Sequence, residues 1–411
     1  MQKYGGTSVA NAERILHVAE RVTKAFDEGH RIVVVASAQG GVTDRLIKKA
    51  REVNPSAGKR ELDMLLSTGE QQSVALLAMA IERLGYQAIS LNAVQVGIHA
   101  TDLYGNARIK EVQTHRILEE LDRGKIVIVA GFQGVNRHRD LTTLGRGASD
   151  TTAVALSAVL AADLCEICKE DVDGVYSADP RVVASAIKLR AITYDDMLEM
   201  ASSGAKVMHD RAVEMAKKFN VNVLVRSSNT DAPGTWIKER VDLEQLAVGG
   251  IAIDRNVARV SVMGLPDAPG IAYQVFSLLA EEKIHVDIIC QSVGVSPMRD
   301  ISFTVHKQDL DETRRVLNDN KKTIGFQELA ADENLAKLSV IGTGMAANFG
   351  VAAAIFKALH ENDINIHMIS SSEIKISVLV AERRVTEAAN AVHKKFESVF
   401  AKNGSDSHDF D

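Results

Sequence analysis

A glycine-bearing loop near the start of the sequence has the residue types that suit an anion. Lys3, Gly5 and Gly6 stand in the run Lys-Tyr-Gly-Gly-Thr-Ser-Val, directly before an apolar stripe with helical spacing. Two glycines let the backbone approach a bound group, the helix N-terminus presents free N–H donors, and the lysine adds positive charge. Phosphate is the anion that this combination favours, although the same residues also form simple turns.

A second glycine-bearing loop, residues 142–152, offers groups that bind a carboxylate. Arg146 can form two parallel hydrogen bonds with a carboxylate, and Ser149 with the following helix amides can hold another oxygen. Asp150 falls in the first turn of that helix, where an acid also serves as a cap. Both interpretations of Asp150 can hold together.

Three further loops carry polar groups that could line a site. Residues 67–70, Ser-Thr-Gly-Glu, are predicted as a turn that delivers the Glu70 carboxylate at a helix start, where it is equally a favourable first-turn acid. Residues 37–44 follow a predicted strand, at the end where open α/β sheets bind ligands. Residues 171–181 place an aromatic and an arginine beside a turn, which suits a nucleotide, although Asp-Gly and Asp-Pro steps also mark ordinary turns.

The elements that must position these loops alternate between apolar strand-like runs and helical stripes. Five runs are predicted as strands, at 32–36, 88–91, 126–129, 164–167 and 221–225. Several are continuously apolar, which is typical of strands covered by helices on both faces. This half of the chain therefore predicts a mostly parallel α/β/α sandwich.

The rest of the sequence contains an internal repeat. Residues 258–264, Ala-Arg-Val-Ser-Val-Met-Gly, match residues 336–342, Ala-Lys-Leu-Ser-Val-Ile-Gly, and after a short insertion Gly270 aligns with Gly350. Each copy predicts a strand, a glycine-containing loop, a helix and further strands, the order of a ferredoxin-like unit. The predicted domains are a sandwich at 1–240, repeat domains at 241–330 and 331–400, and a disordered tail at 401–411. The leading strand of the first repeat domain could be shared with the second.

Composition and charge exclude several classes of protein. Lys and Arg number 48 against 54 Asp and Glu, giving a formal net charge of −6, so no basic excess is available for nucleic acid. No apolar run reaches the roughly 18 residues of a membrane span, and no signal peptide is recognisable. We therefore expect a cytoplasmic protein with a small substrate and neither a nucleic-acid nor a membrane partner.

The run 3–9, the motifs at 67–70, 131–134, 144–150 and 171–181, and the tandem repeats together closely resemble the monofunctional aspartate kinases. The likeness covers almost the whole chain. It implies a three-layer α/β/α amino-acid-kinase sandwich joined to two ferredoxin-like ACT α+β regulatory domains. It also implies a homodimer or higher oligomer formed through the ACT domains, with lysine, threonine or both as feedback effectors.

The implied reaction transfers the γ-phosphoryl group of ATP to the side-chain carboxylate of L-aspartate, giving 4-phospho-L-aspartate. This step opens the biosynthesis of lysine, threonine, methionine and diaminopimelate. Mg²⁺ would be carried by the nucleotide, with no dedicated protein cage. The resemblance makes Lys3 and Asp150 the catalytic residues, Asp150 orienting Lys3.

The remaining site residues are also assigned by the resemblance. Substrate binding falls to Thr43, Glu70, Phe132, Arg146 and Ser149. ATP binding falls to Lys3, Tyr4, Gly5, Gly6, Ser37, Asp171, Tyr176, Arg181 and Lys206. Effector binding falls to Asp267, Ile271, Ala272 and Gln291 in the first repeat and to Val351, Asn365, Ile366, Ser372 and Glu373 in the second.

Two departures from the family pattern keep a second hypothesis open. Ala148 stands where a second glycine is usual, and a positive φ there would cost about 1 kcal/mol. One extra residue between Ile167 and Asp171 predicts a shifted register or a bulge, so Lys169 and Glu170 receive no assignment. The alternative is a catalytically impaired amino-acid sensor. Glutamate, acetylglutamate and uridylate kinases share the sandwich but do not usually combine this lysine loop with tandem ACT repeats.

Overall fold

The computed structural model describes residues 1–205, 207–239, 248–293, 298–345, 348 and 350–404. These residues form two compact units. Unit 1 contains Met1–Val175, Lys188–Ser202 and the described part of Lys206–Leu243. Unit 2 contains Tyr176–Ile187, Ser203–Ala205 and the described part of Glu244–Asp411. Residues 176–187 therefore group with the repeats, whereas the sequence places them inside a domain that runs to 240.

Unit 1 is built on an eight-stranded sheet in the order β10-β12-β11-β9-β1-β2-β6-β3. Neighbouring strands are parallel except β11 and β12, because a short turn joins those two. A second sheet of four short strands, in the order β5-β4-β7-β8, was not expected from the sequence. The strands of unit 1 are β1 (Gln2–Tyr4), β2 (Val33–Ala36), β3 (Ala88–Leu91), β4 (Ile98–Ala100), β5 (Ile109–Val112), β6 (Ile126–Ala130), β7 (Gln133–Val135), β8 (Leu141–Thr143), β9 (Cys165–Lys169), β10 (Ala191–Thr193), β11 (Val223–Ser227) and β12 (Thr235–Lys238).

Helices cover the large sheet, as the continuously apolar strands predict. The helices of unit 1 are α1 (Ala12–Asp27), α2 (Val42–Val53), α3 (Lys59–Arg83), α4 (Ala93–Val96), α5 (His115–Asp122), α6 (Ser149–Val159), α7 (Tyr194–Ser202) and α8 (Asp210–Phe219). Helices α1 and α3 share a buried apolar cluster with Val34 and Ile128 of the central strands. Helix α6 packs on β1, β2 and β9. The sandwich prediction is confirmed, since all five predicted strands are present with ends that differ by at most two residues.

Unit 2 is one six-stranded sheet, β14-β15-β13-β16-β18-β17, with a symmetric order. Its strands are β13 (Gly250–Pro266), β14 (Val286–Val293), β15 (Met298–Val305), β16 (Glu328–Ile341), β17 (Met368–Ser371) and β18 (Lys375–Ala381). Its helices are α9 (Ile271–Glu281), α10 (Leu310–Asp319), α11 (Lys321–Ile324), α12 (Val351–Glu361) and α13 (Val385–Gly404). The first three strands and the last three mirror one another, which confirms the internal repeat.

The two long strands exchange segments between the repeats. Residues 250–254 of β13 pair with 337–341 of β16, while 257–263 pair with 328–335. Each repeat therefore receives one edge of its sheet from the other. Gly270 and Gly350 begin α9 and α12 with φ of +92° and +97°, so the matched glycines adopt the same left-handed conformation.

Helix α13 extends to Gly404, so the start of the predicted disordered tail at 401 is helical, and residues 405–411 lie outside the described residues. In the described part of the chain, no helix is both long and apolar enough to cross a membrane.

Candidate active site

Strand β1 places Lys3 and Tyr4 on opposite faces of the large sheet, because successive side chains alternate. Tyr4 is fully buried in the apolar cluster of α1 and α3, where burial raises its pKa well above the usual value. Lys3 points to the face covered by α6 and is also buried. The parallel register pairs Lys3 with Ile167 and Tyr4 with Cys168. Lys3 therefore reaches the site from a central strand of the sheet.

Asp150, in the first turn of α6, lies between two ammonium groups. Its Oδ1 is 2.7 Å from Lys3 Nζ, and its Oδ2 is 3.5 Å from Lys169 Nζ. Burial alone would raise the pKa of Asp150, but the charges of Lys169 and Lys3 outweigh it and hold the pKa well below the ordinary range. The His209 amide also donates to Oδ2 at 3.4 Å. Two cations against one anion leave a net positive charge, as a phosphate site requires.

Lys169 lines the same cleft, although no sequence motif assigns it. The register of β9 against β1 and β11 runs without a bulge, so the extra residue before Asp171 lies beyond the strand. Lys169 is two residues after Ile167 and thus shares the face of Lys3. Burial lowers the pKa of Lys169, although the charge of the nearby Asp150 carboxylate acts in the opposite direction. Extending the predicted strand by two residues would have located this lysine.

Glu70 reaches the site from the middle of a helix, so the prediction of a turn at 67–70 is wrong. Helix α3 runs through Gly69, where a Cβ atom would lie 2.9 Å from Ala38 Cβ. Glycine thus allows α3 to approach the loop after β2, and Glu70 Oε1 accepts a hydrogen bond from the Ala38 amide at 3.1 Å. Glu70 Oε2 is buried and has no hydrogen-bond partner among the described residues. Burial raises the pKa of Glu70 to about 7.

The segment after β6 is shaped to receive Ser149 and Phe132. A Cβ atom on Gly131 would lie 2.7 Å from Ser149 Oγ, so only glycine fits beside this buried serine. Phe132 has φ of +67°, a conformation that is rare for a bulky residue and costs on the order of 1–3 kcal/mol. The Phe132 amide donates to Thr152 Oγ1 at 3.2 Å, and its carbonyl accepts from the Leu144 amide at 2.8 Å. Such held strain is common at functional sites.

The loop before α6 carries Arg146 at the mouth of the cleft. Arg146 is exposed and its Nη2 lies 2.5 Å from Asp44 Oδ1, also exposed. Gly145 and Gly147 have φ of +93° and +77°, whereas Ala148 has an ordinary φ of −73°. The alanine that departs from the family pattern is therefore unstrained.

One cleft of about 380 Å³ brings most of the predicted residues together. Its lining includes Lys3, Gly6, Ser37, Thr43, Glu70, Phe132, Arg146, Ser149 and Asp150, together with Thr7, Ala38, Gln39, Gly40, Gly41, Asp44, Gly147 and Lys169, which the sequence analysis did not assign. Gly5 adjoins Lys3, whose Nζ would lie 3.7 Å from a Cβ atom at that glycine. The Gly6 carbonyl accepts a hydrogen bond from the Gly40 amide at 2.9 Å, which joins the two glycine loops.

Other residues assigned to ATP do not line this cleft. Tyr4 was predicted to bind ATP, but its side chain is buried in the core, so its ring cannot contact the nucleotide. Asp171 is exposed in unit 1, while Tyr176 and Arg181 belong to unit 2. Lys206 lies outside the described residues.

The predicted effector residues all lie in unit 2, in two kinds of position. Ile271, Ala272 and Val351 form the first turns of α9 and α12, and Asp267 precedes α9 in an ion pair with Arg299 at 2.8 Å. The others lie on or beside the edge strands β14 and β17. These are Gln291, Asn365, Ile366, Ser372 and Glu373. Among the described residues, no group of three or more His, Cys, Asp or Glu side chains could hold a metal ion.

Comparisons with known proteins match a kinase family to the first part of the chain and ACT domains to the second. The amino acid kinase family matches residues 2–227, and the ACT domain matches 260–320 and 338–396. An aspartokinase of Bacillus sp. (strain MGA3) is 48% identical over 398 residues, which cover 97% of both chains. The crystal structure of Escherichia coli aspartokinase III with aspartate and ADP (R-state) superposes with a TM-score of 0.81 at 25% identity, covering 96% of this chain and 98% of that one. The same enzyme with lysine and aspartate (T-state) gives a TM-score of 0.73 at 25% identity, with the same coverage.

Proposed function

The chain belongs to the aspartokinases, amino acid kinases that carry ACT domains, and from this we propose that the cleft of unit 1 is its site of phosphoryl transfer. The protein is an aspartate kinase: it transfers the γ-phosphoryl group of ATP to the side-chain carboxylate of L-aspartate. This reaction is the first step towards lysine, threonine and methionine. The observation that carries the assignment of the site is the buried Lys3–Asp150–Lys169 cluster beside Glu70 and Ser149.

The two lysines stabilise the transferred group. In this reaction an oxygen of the substrate carboxylate forms a bond to the γ-phosphorus while the bond to the ADP oxygen breaks, and charge spreads over the phosphoryl oxygens. Lys3 and Lys169 supply fixed positive charge in a site sheltered from water, and Asp150 keeps both ammonium groups in place. The nucleophile is already ionised, so no strong general base is needed. Mg²⁺ enters with the nucleotide phosphates.

Aspartate binding needs partners for one ammonium group and for a carboxylate. Glu70 Oε2, buried and without a partner among the described residues, is available for the α-ammonium. Arg146 and Ser149 are available for the α-carboxylate, with Thr43 and Phe132 beside them. Arg146 must first leave Asp44, an exposed ion pair that contributes little, about 0–1 kcal/mol.

The nucleotide is assigned to the glycine loop and the neighbouring strand end. The backbone near Gly5 and Gly6, the Ser37 hydroxyl and Asp171 are its proposed contacts in unit 1. Tyr176, Arg181 and Lys206 remain predictions from the resemblance. The positive cluster at Lys3 favours phosphate over a neutral ligand, which supports this assignment over the sensor hypothesis.

Regulation is assigned to unit 2. The effector is proposed to be lysine, threonine or both, at the helix N-termini and edge strands named above, and lysine is a ligand of the E. coli relative.

The edge strands of unit 2 expose apolar side chains. Ile289 on β14 and Ile369 on β17, which are matched positions of the repeat, are half exposed at 53% and 46%. Exposed apolar edges favour pairing with another chain, so we assign these edges to a homo-oligomer. Cytoplasmic location remains a prediction.

The test is ADP release by the purified protein with MgATP and L-aspartate, with L-glutamate as the control substrate and Asp150→Asn as the control protein. We expect turnover that depends on aspartate and is strongly reduced in the variant, because Asp150 positions both lysines. Lysine and threonine, added separately and together, identify the effector. ADP release that is the same with aspartate and with glutamate would contradict the proposal.

A further inference from the structure

Residues 176–187 leave unit 1 and return to it, and both ends are fastened at one place in unit 1. The Leu189 amide donates to the Val175 carbonyl at 2.8 Å. Thr235 Oγ1 accepts from the Val175 amide at 2.8 Å and donates to the Leu189 carbonyl at 2.6 Å. The points at which the chain leaves unit 1 and returns to it therefore lie side by side. A displacement of the 176–187 segment acts on the chain at these two residues.

The 176–187 segment is built into the core of unit 2. Ala178 and Val183 are buried in the apolar cluster that contains Val392 and Phe396 of helix α13. The Ile251 amide donates to the Ser177 carbonyl at 2.7 Å, and Asn390 Nδ2 donates to the Val182 carbonyl at 3.1 Å. The segment is thus held by apolar packing and by hydrogen bonds from β13 and α13.

A buried histidine on α13 makes the most specific of these contacts. His393 has no exposed surface, and its Nε2 lies 2.9 Å from Ser177 Oγ while its Nδ1 lies 3.2 Å from Ser185 Oγ. The ring stacks on Phe400, with centroids 4.9 Å apart and planes at 21°. A neutral imidazole has one donor and one acceptor, and both are matched here by hydroxyl groups. His393 therefore joins two points of the segment to one helix.

Ser177 also forms hydrogen bonds with Ile187, at the other end of the segment. Its amide donates to the Ile187 carbonyl at 2.8 Å, and its Oγ accepts from the Ile187 amide at 2.9 Å. The base of the segment is closed by these bonds. A change at His393 therefore reaches both ends of the segment through Ser177.

We propose that His393 is a positioning residue for Asp171, a proposed nucleotide contact in unit 1. Through Ser177 and Ser185 it fixes residues 176–187, and the chain carries that constraint to Asp171–Val175 in unit 1. The inference rests on the proposed function, because it requires Asp171, in unit 1, to contact ATP.

His393→Ala tests the proposal through the separation of two kinetic constants. Loss of the two bonds should raise the KM for MgATP about five- to thirtyfold and leave the KM for aspartate nearly unchanged. His393→Gln, which can keep one bond, should give an intermediate value. Ser377→Ala is the matched control, because it removes a buried hydroxyl bonded to Ser339 at 2.8 Å in the same repeat without touching the segment. This control should leave both constants unchanged.

The outcomes separate the inference from the proposed function. A folded His393→Ala protein with an unchanged KM for MgATP overturns the inference, as does an equal rise after Ser377→Ala. If His393→Ala does not fold, Ser185→Ala decides by the same measurement, since it removes only one hydroxyl. A wild-type protein that releases no ADP with aspartate contradicts the proposed function instead, and MgADP affinity by calorimetry then provides the comparison of variants.

Discussion

Glu70→Gln removes the carboxylate that we assign to the α-ammonium of aspartate while keeping the size of the side chain. In the wild type, burial raises the pKa of Glu70 to about 7, because one of its oxygens has only a backbone amide and the other has no partner among the described residues. A charge-assisted hydrogen bond contributes roughly 1.5–3 kcal/mol. Its loss should lower kcat/KM for aspartate about 10- to 150-fold at pH 8.

The pH profile gives a sharper test than the rate at one pH. Protonated Glu70 cannot pair with an ammonium group, so wild-type kcat/KM for aspartate should rise as pH passes through about 7. One pH unit below the pKa about one-tenth of the groups are ionised, so the value at pH 6 should be about a tenth of the plateau. Glu70→Gln should lack this rise. Glu82→Gln, an exposed change on the same helix, is the control and should keep it.

The same substitution should increase stability at high pH. A carboxyl group whose pKa is raised on folding favours the folded state below the unfolded pKa near 4.5, and that contribution is lost as pH rises through about 7. Ionised Glu70 therefore costs the wild type up to roughly 3 kcal/mol at pH 8. Glu70→Gln should melt at a higher temperature than wild type at pH 8, with a smaller difference at pH 5. An equal difference at both pH values, or an unchanged kcat/KM for aspartate, would refute the reasoning.

The remaining predictions concern the other groups of the site and the regulatory unit. Arg146→Ala should raise the KM for aspartate at least about tenfold, because a charge-assisted bond to carboxylate is worth roughly 1.5–3 kcal/mol; an unchanged aspartate saturation curve would remove Arg146 from the site. Lys169→Met should lower kcat about 10²-fold with little change in the KM for aspartate, as expected for a group that stabilises the transferred phosphoryl. Steady-state kinetics at saturating MgATP measures this, and a full-rate variant would limit Lys169 to a structural role. Asn365→Ala should relieve inhibition by lysine or threonine in the ADP-release assay while uninhibited turnover persists; loss of both together would indicate a folding role.

The sequence predicts the sheet well because its signals are local. Continuous apolar runs at 126–130 and 33–36 require burial on both faces, and the structure covers them with helices. The alternation of β1 then directs Lys3 away from Tyr4, and Lys3 forms an ion pair with Asp150. The tandem repeat was equally readable, since aligned glycines fix the start of each ACT helix.

Three features depended on distant contacts and were missed for that reason. Gly69 looks like a turn in the sequence, but it lies in mid-helix, where the absence of a side chain lets α3 approach Ala38. Lys169 could be assigned only from the register of β9 against β1. Residues 176–187 carry no local pattern that assigns them to unit 2, because their partners are distant in the sequence: Ile251 on β13, and His393 on α13, which is 216 positions from Ser177.

The two buried carboxylates of the cleft differ in a way that separates their roles. Asp150 has two ammonium groups within 3.5 Å, so its charge is compensated before any ligand binds. Glu70 has no such cation, and its pKa is raised instead of lowered. A permanently charged group suits the positioning of Lys3, whereas a group that lacks its counter-ion suits a substrate that brings one. Bound aspartate should therefore lower the pKa of Glu70, and binding measured below pH 7 should release a proton; calorimetry in buffers of different ionisation enthalpy detects that release, and Glu70→Gln should abolish it.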